Sequence, residues 1–290
     1  MGQEDTYEHD VLMETAAGRV LLTGSRSRAK AFADSGGCVI GLCPEDVLQT
    51  VDFPEACLLA AEGQALSEAF IEQTACHFYG KPFTIARTGR LVIRESTDDD
   101  HASILSILQR CAGNSGQQIF HDGFSLQEIS AGERFLQYVQ TCYHFFGFGM
   151  WTVLLKGEEK AGAQKNSQPE RNDLPIVGWC GLFPEKDEGE AGFHAEMGYA
   201  VDPDHQRKGL ALEACRAILA YAAEATDLAQ VVIRADLANR ASVRLAQQLG
   251  FSLHRTDRES RTGVSLLKLR GDTEQSIGPG QSRTGSCIVC

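Results

Sequence analysis

The chain has 290 residues, enough for one large domain or two modest ones, and its 43% apolar content supplies a sizeable globular core. A formal charge of −12 at pH 7 excludes a general binder of nucleic acid or anionic membrane, because phosphates must be met by clustered Lys and Arg; an anionic ligand has to be held by local structure. No apolar run approaches a bilayer span and the start "MGQEDTYEHD" is acidic and polar, so the expected location is cytoplasmic.

"MGQEDT" at the start and "CIVC" at the end match loose lipidation patterns and are read as an ordinary polar start and a tail carrying two thiols. Residues 18–43 give an apolar strand "RVLLTG", a helix-like run with Ala29, Phe32 and Ala33 on one face, a double-glycine stop at Gly36 and Gly37, and a second strand "CVIGL". That is the grammar of a βαβ unit with parallel strands. A short strand follows near 56–60 and a helix over 64–79, and "GKPFTIARTG" at 80–89 reads as a turn and connector. A domain boundary is expected there, with a small α/β domain over 1–86.

From residue 90 the pattern gives a strand at 91–95, a helix opened by Thr97, helical sequence through 147, and a strand at 150–155. Residues 156–174 are polar and aperiodic, the pattern of a long hairpin loop, and "PIVGWCGLF" returns as a strand. Trp151 and Trp179 fall on core strands, and most of Phe124, Tyr138, Tyr143, Phe145 and Phe146 are expected in the core, with an acceptor wall as the other reading. A strand at 194–201, a helix at 210–225, a strand at 230–235, a helix at 240–249 and strands near 251–255 and 264–269 complete the order. The tail 271–290 has too few apolar residues to fold alone and is expected to be disordered. Of the ten cysteines the first eight sit mostly in apolar segments without metal-ligand spacing, so reduced, mostly buried thiols and no metal are expected.

The segment "HQRKGLALEACRAILAYAAE" places Gln206, Arg207, Lys208 and Gly209 where a helix begins, directly after the strand "MGYAV". A helix N-terminus offers unpaired N–H groups and the positive end of the macrodipole, so it holds anions without a basic protein around it. Glycine at 209 lets backbone and phosphate approach closely, and Leu210, Ala214, Ala217, Ile218 and Tyr221 recur at the spacing that pins the helix to a sheet. A plain strand-to-helix connection with a solvated basic corner is the bland alternative.

The order strand "EMGYAV", turn and helix "DPDHQRKGLALEACRAILAYA", strand "VVIRAD", helix "NRASVRLAQQLGF" resembles the GNAT N-acetyltransferase superfamily over roughly residues 90–270. Gln206, Gly209 and Ala211 match its phosphate-cradling pattern; Asn239, Ser242, Leu249, Gly250 and Phe251 match its second marker. "LVIRESTDDD" and the Glu-x-Gly-Tyr strand are similar to the branch containing the ribosomal-protein N-terminal acetyltransferases. The resemblance implies an α/β fold with a mixed, mostly antiparallel, splayed sheet flanked by helices, and acetyl-CoA as co-substrate. It assigns the turn from Gln206 through Arg207, Lys208, Gly209, Leu210 and Ala211 to the pyrophosphate, Tyr199, Ala200 and Val201 to the pantetheine arm, and Asn239 with Ser242 to the cofactor's other side. Helix capping is an alternative for the last pair.

Acetylating an amine requires its neutral form, so a base or water chain must take a proton. Glu196, on the strand leading to the turn, is the candidate base, and His194, otherwise an ordinary exposed histidine, is the second. Where many relatives carry a tyrosine acid this chain has Ala246, so the acid that protonates CoA thiolate is unassigned. The implied acceptor is a primary amine, on a protein N-terminus or a small molecule; the alternative is a non-catalytic acyl-CoA-binding sensor or regulatory protein. The first 86 residues look like part of a haloacid-dehalogenase-like domain but lack its D-x-D nucleophile pair. They are read as a non-catalytic segment for partner docking or homodimer formation, its acidic balance suiting a basic partner.

Overall fold

The computed structural model describes residues 10–112, 133–157, 174–185, 194–226, 228–256, 262–268 and 288–289. Both terminal patterns fall essentially outside these residues, as do Phe124 and most of the expected 156–174 loop. The chain divides into two compact units, Met1–Phe83 with Glu274–Cys290, and Thr84–Thr273.

The first unit is built on β1 (Val11–Glu14), β2 (Arg19–Thr23), α1 (Arg26–Asp34), β3 (Cys38–Cys43), β4 (Leu58–Ala61) and α2 (Glu68–Phe78). β2, β3 and β4 are parallel, as the βαβ grammar predicts. Gly36, at φ 80°, ends α1 in a backbone conformation that costs glycine nothing. The core lies under α1, where Ala29, Val39, Leu48, Phe53 and Leu59 are buried together. The helix expected from 64 begins instead at Glu68, because the Ser67 hydroxyl accepts from the Phe70 N–H and caps it.

Two strands of this unit escaped the sequence pattern. β1 pairs antiparallel with β2 at the sheet edge and is mostly exposed, so it has no apolar alternation to read. At the chain's end, expected to be disordered, Ile288–Val289 form β13, antiparallel to β4. The sheet supplies the pairing edge that two isolated residues lack.

The second unit carries β5 (Thr84–Arg87), β6 (Leu91–Glu95), α3 (His101–Ala112), α4 (Glu133–Phe146), β7 (Met150–Leu155), β8 (Ile176–Glu185), β9 (His194–Val201), α5 (Leu210–Ala225), β10 (Gln230–Asp236), α6 (Arg240–Gln248), β11 (Ser252–Thr256) and β12 (Thr262–Lys268). They form an eight-stranded sheet in the order β11-β12-β10-β9-β8-β7-β6-β5. Every neighbouring pair is antiparallel except β9 and β10. The connector expected at 80–89 supplies β5, a short half-buried edge strand. Trp151 and Trp179 are buried at 1% and 0% exposure, as their strand positions predict. Tyr143 stacks on Trp151 in the core, and Tyr138 and Phe146 pack against it, whereas Phe145 stands 78% exposed.

One buried polar network ties the start of this unit together. Thr97 and Asp100 form a reciprocal capping box ahead of α3, Arg94 donates to both oxygens of Asp100 at 2.6 and 2.9 Å, and Thr152 Oγ1 donates to Asp100 at 2.9 Å. Burial raises the Asp100 pKa, but Arg94, the Thr97 N–H and Thr152 outweigh it and leave the carboxyl below its ordinary value. A lowered folded-state pKa means stability fully present above the unfolded value near 3.9 and lost as pH falls through the folded value. Asp100→Asn is therefore expected to cost about 3 kcal/mol at neutral pH by stranding the buried Arg94 charge. Urea unfolding of both proteins at pH 7 and pH 3 tests this: the gap between them should shrink at the lower pH.

Candidate functional site

β9 and β10 pair only at His194↔Gln230, Ala195↔Val231 and Glu196↔Val232. Beyond that point β9 runs on to Val201 and β10 to Asp236 without pairing to each other, so the sheet opens between them. A cleft of about 810 Å³ lies at this opening.

The floor of the cleft is the stretch between β9 and α5. Asp202 caps a short 3₁₀ turn, Pro203–His205, by accepting from the Asp204 N–H. Arg110 of α3 grips both Asp202 and Asp204 at 2.8 Å, and the Gln206 amide folds back to donate to the Val201 carbonyl at 3.0 Å. From the other side Arg90 donates to the Lys208 carbonyl at 2.7 Å and pairs with Glu213 of α5. Thr88 also donates to Glu213. The turn is thus clamped from three elements, which fixes where α5 begins.

Within the turn, Arg207 has φ 61° and Gly209 φ 77°. Arg207 is the only non-glycine with positive φ among the described residues, a conformation that costs roughly 1 kcal/mol and that persists where surrounding contacts enforce it. The first backbone bond of α5 is from Glu213 N–H to the Gly209 carbonyl at 3.1 Å, so the N–H groups of Leu210, Ala211 and Leu212 precede the intrahelical ladder. Gly209, Leu210, Ala211 and Leu212 all line the cleft. N–H groups ahead of the helical ladder, together with the positive end of the helix dipole, give this end of α5 the chemistry to hold an anion.

Of the eleven residues assigned to the cofactor, ten line this cleft: Tyr199, Ala200, Val201, Gln206, Arg207, Gly209, Leu210, Ala211, Asn239 and Ser242. Lys208 is not among them; its ammonium turns to the Asp204 carbonyl at 2.9 Å. Asn239 also caps α6, accepting from the Ser242 N–H at 3.2 Å, so capping and cleft lining coexist. The sequence reading missed Arg240 and Arg244, which line the cleft from α6. Their spacing of four on one helix face was the available signal. With Arg207 they give an acidic protein a local positive rim.

Burial pushes the Tyr199 phenol up to about 12, opposed in part by the Ser242 hydroxyl, so it stays neutral at physiological pH. Cys111 of α3, exposed among thiols that are mostly buried, also lines the cleft; partial desolvation and the Asp202 charge raise its pKa, with Gln206 and Arg110 acting the other way.

Glu196 sits at the last paired position before the strands part and lines the cleft. Its Oε2 accepts from Arg234 Nη1 at 2.9 Å, and the two side chains are 11% and 12% exposed. His194 departs from expectation. It is 2% exposed, lies against the Gln230 amide and is not part of the cleft wall, because it occupies the closed, fully paired end of β9. Ala246 is buried on α6, four residues beyond Ser242. Backbone donors at the start of α5, a channel between parting strands and the Glu196 carboxylate where they part could together accommodate an elongated anionic ligand.

Residues 90–252 match the family model described as an acetyltransferase (GNAT) domain. Among curated proteins, an uncharacterized N-acetyltransferase, YoaA, of Bacillus subtilis is 25% identical over 169 residues, covering 58% of this chain and 83% of the relative. Among solved structures, RimL, a ribosomal L7/L12 alpha-N-protein acetyltransferase in complex with coenzyme A, aligns with TM-score 0.48 and 15% identity over 64% of this chain and 97% of its own. YncA of Salmonella typhimurium, a putative acetyltransferase with acetyl-CoA, aligns with TM-score 0.45 and 17% identity over 65% and 99%.

Proposed function

Because the chain belongs to the GNAT acetyltransferase family and takes its acetyl group from acetyl-CoA, we propose that it N-acetylates a primary amine in the cleft between β9 and β10. The observation that carries this reading is the opening itself: a clamped, glycine-started helix at one end and the Glu196 carboxylate at the point where the strands part.

In this reading the N–H groups of the 206–211 turn hold the pyrophosphate, with Arg207 at its rim. Tyr199, Ala200 and Val201 border the pantetheine arm, and Asn239 and Ser242 flank it from α6. Glu196 takes the proton from the acceptor ammonium, which at an α-amine ordinarily needs a pH near 8 to leave. The neutral nitrogen then bonds to the acetyl carbon, the carbon–sulfur bond breaks, coenzyme A departs as thiolate, and the nitrogen gives up its second proton to solvent to become the amide. Buried Ala246 supplies no acid for that thiolate, and its proton donor is left unassigned. No observation supports the sensor alternative.

The finer assignment to the ribosomal-protein N-terminal branch rests on "LVIRESTDDD" and the Glu-x-Gly-Tyr strand. The first unit is read as a non-catalytic, haloacid-dehalogenase-like segment used for docking. Its support is the run of parallel strands β2, β3 and β4 without a D-x-D pair.

Thiol release from acetyl-CoA, followed across a panel of amines and free peptide N-termini, tests the reaction. Amine-dependent release with a matching acetylated product is expected. Tight acetyl-CoA binding with no product from any amine overturns it.

A further inference from the structure

The ion pair of Glu196 with Arg234 bears on the kind of acceptor the cleft takes. Val232 pairs with Glu196, so Arg234, two residues further along β10, emerges on the same face of the sheet just past the point of divergence. Its Nη1 reaches Glu196 Oε2 at 2.9 Å, both side chains are about one-tenth exposed, and both line the cleft. Shielding an ion pair costs desolvation that an apolar pair would not, so stability alone is a poor reason to keep one in the wall of a binding cleft.

The pair has a chemical complement. An acceptor nitrogen delivered to Glu196 lies within one ion pair of a guanidinium. A second positive charge beside the guanidinium is repelled by Arg234, and the cleft's other described acid, Asp236, lies two residues further along β10. A carboxylate on the amine-bearing carbon instead completes an alternating set of charges, ammonium on Glu196 and carboxylate on Arg234. The planar guanidinium fork suits that carboxylate better than a point charge does.

Resting on the reading of Glu196 as the acceptor's base, we propose that the acceptor is a free α-amino acid, its amine received by Glu196 and its carboxylate by Arg234. The product is the N-acetyl amino acid: Glu196 takes the first ammonium proton, the nitrogen–acetyl bond forms, the carbon–sulfur bond breaks, the nitrogen loses its second proton to solvent, coenzyme A leaves as thiolate, and the carboxylate is unchanged. Arg234 is a specificity-determining residue in this scheme.

The test uses the full chain saturated with coenzyme A and titrated calorimetrically with the proteinogenic amino acids and their carboxamides, alongside thiol release with acetyl-CoA. At least one amino acid should bind about tenfold tighter than its carboxamide, the difference expected of one charge-assisted pair. Arg234→Gln should erase that difference and raise KM for the amino acid more than for its carboxamide, while coenzyme A still binds. Arg234→Lys should restore part of it, and melting curves confirm that both variants fold. Amino acids binding no tighter than carboxamides, equal losses for both ligands in Arg234→Gln, or a peptide N-terminus outcompeting every free amino acid would each overturn the proposal. Those outcomes leave the acetyltransferase reading standing if amides or peptides are acetylated; failure of coenzyme A to bind removes both together.

Discussion

Glu196→Gln is expected to lower kcat by about 10²- to 10³-fold, the usual contribution of a positioned base, and to leave acetyl-CoA affinity unchanged. The substitution keeps the shape of the side chain and an oxygen for Arg234 to donate to, and removes the charge and the proton-accepting capacity. Because Glu196 lies where the strands part and the turn proposed to hold the phosphates is a separate part of the cleft wall, a loss confined to kcat separates chemistry from cofactor binding. The pH dependence is the sharper readout. Without the carboxylate the reaction depends on amine that has already lost its proton, so the variant's rate should climb about tenfold per pH unit until the acceptor's own pKa, near 8 for an α-amine, is passed. Thiol-release kinetics from pH 6 to 9 measure this. Equal pH profiles for variant and wild type would assign proton removal to a water and leave Glu196 the role of Arg234's counter-ion.

The parts of this architecture that were legible in the sequence are those whose periodicity is strong and local. α5 is amphipathic with a glycine at its start, and β9, β10 and α6 fall within about a residue of their expected bounds for the same reason. β1 and β5 were not legible because short, half-exposed edge strands bury too little to impose an alternating pattern. The Glu196–Arg234 bridge was invisible for a different reason. The two residues are 38 apart in sequence and meet through the register of the one parallel strand pair, a property of the sheet that neither segment encodes alone. His194 follows from the same register: two residues before the divergence it is buried among the paired strands, and two residues decide whether a β9 side chain lines the cleft or the core.

Gly209→Val is expected to weaken acetyl-CoA binding by about 10²-fold, equivalent to losing one or two hydrogen bonds to a charged phosphate. The cause is not crowding within the protein. A Cβ at residue 209 would meet only Arg90 Nη2, at 3.5 Å, an ordinary contact. What valine cannot tolerate is the backbone: φ at 77° places a β-branched residue in the left-handed region, at a cost of about 1–2 kcal/mol. The turn relieves that strain by rotating, and rotation re-aims the N–H groups of Leu210 and Ala211 that open α5. Because Arg90, Arg110 and Gln206 hold the flanks, the helix itself should persist and circular dichroism should change little, while the melting temperature falls. Gly209→Ala carries a smaller strain and should fall between valine and wild type. A graded loss of affinity from glycine through alanine to valine, with helicity retained, is the signature of a backbone cradle. Undiminished affinity in the valine variant would make the turn only a connection and would move the phosphate to the arginine pair at the start of α6, where Arg240→Ala and Arg244→Ala would then carry the loss.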